Sequence, residues 1–215
     1  SWIEVTGADG TDHSHSMDTH NYFLGQDGNI GGKTGTTDDA GYCFTSAYNR
    51  DGDEIYTVVL NSTTTDQRFT DTATLANWYY GHKVTVAIAN TQEKTANGNP
   101  LMARIGQTDW TDKTIDATLA DPTAQATVFS LAGKVTEKIS YDDLSGTVHV
   151  GDKVGSVTLK QDGTKIAVMD LVADEEGAGP NPIEWLLVKL DRLGRRIDNR
   201  PLTAESETVA KAPEV

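Results

Sequence analysis

The residues whose types and spacing could do chemistry gather early in the chain. Gly31-Gly32-Lys33-Thr34-Gly35-Thr36-Thr37 sets one lysine among glycines and threonines, and Ala40-Gly41-Tyr42 follows. Lys33 supplies a cation for a substrate carboxylate and for the electrostatics around a nucleophile. On an edge strand this run offers backbone groups to an extended peptide, and Gly35 lets that peptide come close. A Lys-Thr-Gly tripeptide is weak by itself. The glycine before it, the threonine after it and the hairpin pattern beyond make it more specific. Taken alone, Arg68 reads as a surface ion pair or a helix-start residue.

Other reactive types carry less. His13, His15 and His20 lie in a polar opening segment. The His-x-His pair could offer two imidazoles to a metal, but nothing completes a familiar ligand spacing. No metal or other cofactor is expected. Cys43 is the single cysteine, which excludes an internal disulfide framework and a cysteine zinc cluster. It reads as a buried, inert thiol.

These residues need elements to hold them. Residues 1–20 read as loop. Asn21–Thr65 reads as antiparallel strands: Ile30–Thr36, Gly41–Tyr48 and Glu54–Leu60, with Asn49-Arg50-Asp51-Gly52 as the turn of a hairpin. The period then changes. Phe69, Ala73, Leu75, Ala76, Trp78 and Tyr79 fall near helical spacing over Asp66–His82, with Asp66 as cap and Gly81 at the end.

Lys83–Val172 alternates short strands with turn signals such as Asn97-Gly98, Asp121-Pro122 and Asp162-Gly163. The strands are read at Lys83–Ala89, Thr114–Leu119, Ala126–Leu131, Lys134–Tyr141, Thr147–Val150, Ser156–Gln161 and Lys165–Leu171. That pattern predicts a small all-β sandwich or barrel. Ala173–Pro182 reads as a linker. Ile183, Leu186, Leu187, Leu190, Leu193 and Ile197 then form a stripe at helical spacing. The tail after Pro201 is polar and is expected to be disordered.

The expected fold class is therefore α+β. A partial antiparallel sheet with a helix (residues 1–82) precedes a small all-β domain (83–172), a linker (173–182), an amphipathic helix (183–200) and a polar tail (201–215). Half a sheet leaves apolar surface open, so residues 1–82 should be poorly stable alone.

Charge narrows the partners. With 32 acidic and 18 basic residues the chain carries a net −14, which argues against nucleic acid, whose phosphates need Lys and Arg. No stretch approaches the roughly 20 apolar residues of a membrane-spanning helix. Yet Lys189–Arg200 holds five basic and two acidic residues beside the apolar stripe. That combination fits a peripheral membrane surface, contacted through Ile183–Ile197.

The Lys33-Thr34-Gly35 segment resembles the third active-site element of penicillin-recognising serine enzymes. The resemblance runs further. Gly32–Tyr42, the hairpin, and Asn61–Gly81 with Arg68 look like low-molecular-mass penicillin-binding proteins, the serine-type D-alanyl-D-alanine carboxypeptidases. Asn21-Tyr22-Phe23-Leu24 is similar to the Asn-x-Leu-Leu stretch ahead of that motif. Val150–Gly155, Asp162-Gly163 and Asp170–Val172 are similar to the family's C-terminal β domain, and Ile183–Ile197 lies where the family carries a membrane-surface anchor. The resemblance covers about residues 20 to 197.

It implies hydrolysis of the terminal D-Ala from peptidoglycan stem peptides, β-lactam binding, and an extracytoplasmic place at the outer face of the cytoplasmic membrane. By the same resemblance, Lys33 and Thr34 contact the terminal carboxylate, with Arg68 helping to hold it. Gly35 belongs to the substrate-binding strand, and the Thr36 N–H is an oxyanion donor.

The pattern breaks at the nucleophile. No serine is followed three positions later by lysine, and no Ser-x-Asn occurs; Ser130 and Ser156 have Lys at the wrong spacing, four residues on. The expectation is a C-terminal part of a longer enzyme, catalytically incomplete by itself, with no catalytic residue among these 215. The start at Ser1, with no signal-peptide pattern after it, is read the same way. The alternative is a non-catalytic module that binds cell-wall peptides or proteins. A class A-type β-lactamase relative is disfavoured by the β domain and the anchor-like helix.

Overall fold

The computed structural model describes residues 2–16 and 18–215. The chain divides into two compact units, Ser1–His82 and Lys83–Val215.

The first unit opens with a hairpin, β1 (Trp2–Thr6) against β2 (Asp12–Ser16), where the sequence reads as loop. Polar side chains on β2 hide the strand from a hydrophobicity pattern. The turn makes it: the Gly7 N–H donates to the Thr11 carbonyl at 2.7 Å, and the Asp9 carboxylate accepts from both the N–H and the hydroxyl of Thr11. The Thr11 hydroxyl bond, with its N–H second, holds the Asp9 carboxyl below its ordinary pKa. His13 and His15 sit on β2, and no group of His, Cys, Asp and Glu is placed to hold a metal ion among the described residues.

The Gly-rich run forms β3 (Asn29–Thr37), which pairs with β4 (Gly41–Arg50), which pairs with β5 (Asp53–Ser62), all antiparallel. The order β3-β4-β5 leaves β3 at an edge. Helix α1 (Gln67–Gly81) covers one face. Its buried residues are Arg68, Phe69, Thr72 and Ala76, a single stripe. Phe69 meets Phe44 edge-on at 4.8 Å between centroids, and the rings of Tyr22 and Phe23 close around it at 5.3 and 5.8 Å. Leu75 and Trp78, expected on the apolar face, are exposed. The sheet instead takes Thr72, whose hydroxyl sits 3.4 Å from that of buried Tyr48. Asp66 occupies the cap position, but its side chain makes no cap bond; Thr64 Oγ1 accepts from the Gln67 N–H at 3.1 Å.

Within the first unit, no helix covers the other sheet face among the described residues. Tyr56 and Leu60 are 72% and 70% exposed, and Val58 beside them is exposed too. Alternation forces this: Thr57 and Val59 pair with Ser46 and Phe44 toward α1, so Tyr56 and Val58 point away.

The second unit is mostly antiparallel sheet. Strands β6 (Lys83–Ala87) and β9 (Gln125–Phe129) form a two-stranded piece. Strands β7 (Ala103–Gly106), β8 (Thr114–Leu119), β10 (Val135–Tyr141), β11 (Lys153–Gln161), β12 (Thr164–Ala173) and β13 (Glu207–Thr208) form a six-stranded sheet in the order β10-β11-β12-β8-β7-β13. Its two edge strands meet through a hydrogen bond between Tyr141 and Thr208, so the sheet curls on itself. Ile105, Ile115, Leu119, Val128, Val154, Val157, Leu159 and Leu171 fill the core. Gln161 joins the two sheets, accepting from the Phe129 N–H at 3.1 Å and donating to its carbonyl at 2.8 Å.

Three expectations change here. Thr147–Val150 is not a strand; Val148 makes only a bridge to Gly177. The Ala173–Pro182 segment is packed rather than free. Buried Asp174 accepts from Thr95 and from the Asn99 amide, its carbonyl accepts from Asn97, and the Trp110 indole donates to the Ala178 carbonyl at 3.0 Å. The tail is ordered as well. Its β13 pairs with β7, Val209 and Ala210 donate to the Met102 carbonyl, and Ala210 is buried. Composition hides this pairing because each tail residue's partners lie about a hundred positions away.

Between those two held segments runs helix α2 (Pro182–Ile197). Asn181 caps it by accepting from Ile183 and Glu184, while the Glu184 carboxylate accepts from the Asn181 N–H, a complete capping box.

Glu137 is a charged residue on the inward side of an edge strand. Its Oε2 is buried without a hydrogen-bond partner, and burial pushes its pKa from 4.5 up to about 7. Between those values the folded state keeps a proton that the unfolded chain releases, so stability falls as pH rises through the window. Glu137→Gln should raise the Tm of the second unit's transition by a few degrees at pH 8 and leave it unchanged below pH 4.5, as read by calorimetry at both.

Candidate functional site

The site is built where α1 begins and β3 runs free. Arg68 stands in the first turn of α1 and is 7% exposed, buried with Phe69 beside it. Its Nη1 donates to Thr36 Oγ1 at 3.3 Å. The Thr36 hydroxyl in turn donates to the Gly35 carbonyl at 2.8 Å, so its proton is committed and its lone pair faces the arginine. The guanidinium carbon lies 5.0 Å from the Phe69 ring centroid and 5.9 Å from that of Tyr42. Arg68 Nε is buried with no partner. Among the described residues no carboxylate lies within ion-pair distance of it. A buried cation without a counter-charge is costly unless an anion joins it. The N-terminus of α1 adds positive potential; no acidic residue stands in its first turn, though Asp66 stands at the cap.

The helix start is held from two sides. Ser62 at the end of β5 donates to Asp71 Oδ2 at 2.7 Å, and the Gln67 amide donates to Asp71 Oδ1 at 2.6 Å. The Gln67 bond first, and the Ser62 bond second, keep the Asp71 carboxyl below its ordinary pKa. At the start of β3, buried Asn21 donates to Asn29 at 2.8 Å, which ties the Asn21–Leu24 stretch to the strand.

Register sorts the site residues onto two faces. Thr34 pairs with Phe44 and Thr36 with Tyr42, so both threonines lie on the α1 side with Arg68. Lys33 pairs with Thr45 and Gly35 with Cys43, on the side away from α1. Lys33 is exposed, and its Nζ donates to the Thr34 carbonyl at 2.6 Å. Thr34, Thr36 and Arg68 thus share one face, while Lys33 and Gly35 reach the edge from the other. A ligand laid along the free edge of β3 meets both. Cys43 is half-buried rather than buried and donates to the Ala40 carbonyl at 3.2 Å.

Gly32 and Gly35 are glycines for different reasons. A Cβ at Gly32 would lie 2.6 Å from the Phe44 ring and 2.7 Å from the Thr45 carbonyl. A Cβ at Gly35 would meet nothing closer than Cys43 Cβ at 4.0 Å. The fold needs the first glycine. The space beside the second lies open to whatever approaches the edge.

The partnering of Arg68 with Thr36 had no local signal. The two are 32 positions apart, and only the docking of α1 joins them.

No family model matches the sequence. No curated protein matches it either. Solved structures do resemble it. The D-alanyl-D-alanine carboxypeptidase DacD from Francisella tularensis is 24% identical, with a TM-score of 0.36, over 78% of this chain and 41% of its own. The peptidoglycan synthesis regulatory factor PBP3 from Streptococcus pneumoniae is 22% identical, with a TM-score of 0.41, over 81% and 48%. Penicillin binding protein 5 from Haemophilus influenzae is 18% identical, with a TM-score of 0.35, over 67% and 41%. These names belong to the family that the sequence resembles, and the TM-scores are too low to establish a common fold by themselves. The chain spans less than half the length of each.

The two glycines give a stability test. Gly32→Ala should cost about 1–3 kcal/mol through overpacking against Phe44. Gly35→Ala should change stability by less than about 0.5 kcal/mol. Urea unfolding of both variants, followed by tyrosine and tryptophan fluorescence, reads the difference.

Proposed function

We propose that this chain is the C-terminal part of a serine-type D-alanyl-D-alanine carboxypeptidase that trims peptidoglycan stem peptides and binds penicillin. One observation carries the reading: a buried arginine with no carboxylate partner among the described residues, bonded to the threonine that follows a Lys-Thr-Gly run on an edge strand.

In this reading a peptide ending in D-Ala-D-Ala lies antiparallel along the free edge of β3. Its terminal carboxylate is held by Arg68, Lys33 and Thr34, as is the carboxylate of a β-lactam. Gly35 leaves room for the peptide backbone, and the Thr36 N–H donates to the penultimate D-Ala carbonyl. The acylating serine comes from outside these 215 residues, since none here has the Ser-x-x-Lys spacing. Its Oγ bonds to the carbonyl carbon, the amide C–N bond breaks, and the last D-Ala leaves with the proton. Water then hydrolyses the ester.

The reaction calls for no cofactor and sits outside the cytoplasm, at the outer face of the cytoplasmic membrane. Helix α2 supports that placement. Ile183 and Ile197 are 74% and 81% exposed, Leu186, Leu190 and Leu193 between them are exposed, and Val188 faces the domain. An exposed apolar stripe of this length, with arginines beside it, fits the membrane interface.

A second reading, a non-catalytic module for cell-wall peptides or proteins, is favoured by the core that the Lys83–Val215 unit has to itself.

Intact mass after incubation with a fluorescent penicillin separates the readings. The longer product of the source gene should gain a covalent adduct, and this chain alone should not. Within that longer product, Arg68→Gln should slow acylation roughly 10- to 100-fold through loss of charge-assisted hydrogen bonds. No adduct on either protein would sink the enzyme reading and favour the module. For the membrane, Leu186→Ser/Leu190→Ser should abolish co-sedimentation with phosphatidylglycerol vesicles. Truncation is the wrong tool, because the tail beyond α2 pairs with β7.

A further inference from the structure

Lys189, Arg192, Leu193, Arg196, Leu202 and Thr203 line a groove of about 490 Å³ between α2 and the chain that leaves it. The three cations stand at i, i+3 and i+7, one stripe roughly 10 Å long. No acidic residue lines the groove. Among the described residues, none of the three has a carboxylate within ion-pair distance, whereas Arg195 holds Asp191 at 2.7 Å and Arg200 holds Asp198 at 3.0 Å. Arg192 Nη2 donates to the Thr108 carbonyl at 2.6 Å, which fixes the side chain, and its Nε is buried without a partner. The Lys189 ammonium rests 4.5 Å from the Trp185 ring centroid. In a chain of net charge −14, three neighbouring cations without acids are a built electropositive spot.

We infer that this groove binds the phosphodiester headgroup of an anionic lipid. The inference rests on the membrane reading of α2 given above and goes further, from a general basic surface to a defined headgroup site. Turning 100° per residue, the cations flank the apolar stripe on one side only, while Glu184 and Asp191 lie on the other. Leu193 belongs to both features: it is exposed in the stripe and forms part of the groove wall. A free phosphate would use the cations and leave Leu193 and Leu202 unmatched. A phosphate carrying acyl chains would place its charge on Lys189, Arg192 and Arg196 and its glycerol against the two leucines. The Thr203 hydroxyl offers a neutral hydrogen bond. Helix α2 would then lie at the interface with a fixed rotation about its axis.

The test uses the whole chain and vesicles of phosphatidylcholine with and without phosphatidylglycerol, read by co-sedimentation. Lys189→Gln/Arg196→Gln removes two groove charges and leaves the Arg192–Thr108 contact in place. Arg195→Gln/Arg200→Gln removes the same charge from paired arginines. Thermal unfolding checks that both variants fold. The groove pair should weaken binding to phosphatidylglycerol vesicles about 10-fold or more, and the control pair less than about 3-fold. Equal losses would overturn the headgroup site and leave only diffuse attraction. Loss of binding in Leu186→Ser/Leu190→Ser beside equal losses would mean that the membrane reading survives without the groove. Unchanged binding in that leucine variant would fell both. Inorganic phosphate, titrated against Trp185 fluorescence, is the remaining arm. Saturation by free phosphate with no vesicle binding would assign the groove to a soluble anion and overturn the lipid.

Discussion

The seating of Phe69 against Phe44 is the contact on which the first unit depends. It presses α1 onto one face of a three-stranded sheet, and Tyr22 and Phe23 close over it from the segment that leads into β3. Arg68 is the next residue in the chain, so wherever Phe69 docks, the guanidinium follows. That docking delivers it to Thr36 at 3.3 Å and keeps it from water. A cation placed this way is expensive to bury alone. The strand edge beside it is also open, because among the described residues β3 has a strand partner on one side only. Both deficits fit the ligand proposed for this edge, an extended chain that ends in a carboxylate.

The same sheet shows what one helix cannot do. Thr57 and Val59 face α1, and alternation then turns Tyr56, Val58 and Leu60 outward. The contrast between Gly32, pressed on Phe44, and Gly35, with open space, repeats the distinction at single-residue scale. One position serves packing and the other leaves access.

In the second unit the governing constraint is closure. Tyr141 and Thr208 join the edges of the sheet, and Gln161 joins the sheet to the β6–β9 pair. Asp174 anchors the chain before α2, and β13 anchors it after. The amphipathic helix is therefore held at both ends. Val188 and Arg192 hold one side of it to the domain, so its apolar stripe has a fixed direction. A helix on a free tail could turn to bury that stripe, and this one is held with the stripe outward.

Strands β3, β4 and β5, helix α1, the strands from β8 to β12 and the stripe of α2 were legible because each rests on a local period or a local turn. Strand β7 was not, since four residues carry too short a pattern. Nor was the β1–β2 hairpin, where polar side chains mask a paired backbone, or β13, whose partner lies about a hundred residues away. The run that holds Lys33, Thr34, Gly35 and Thr36 could be picked out from type and spacing, and Arg68 was named through the family resemblance. Their arrangement could not. Register decided that the threonines share a face with Arg68 and that Lys33 does not. Docking of α1 decided that Arg68 is buried and, among the described residues, without a carboxylate partner. A sequence states which groups are present and how far apart they lie along the chain. Distance across the fold, burial and counter-charge exist only once distant segments pack, and those quantities make a lysine, a threonine and an arginine a candidate site.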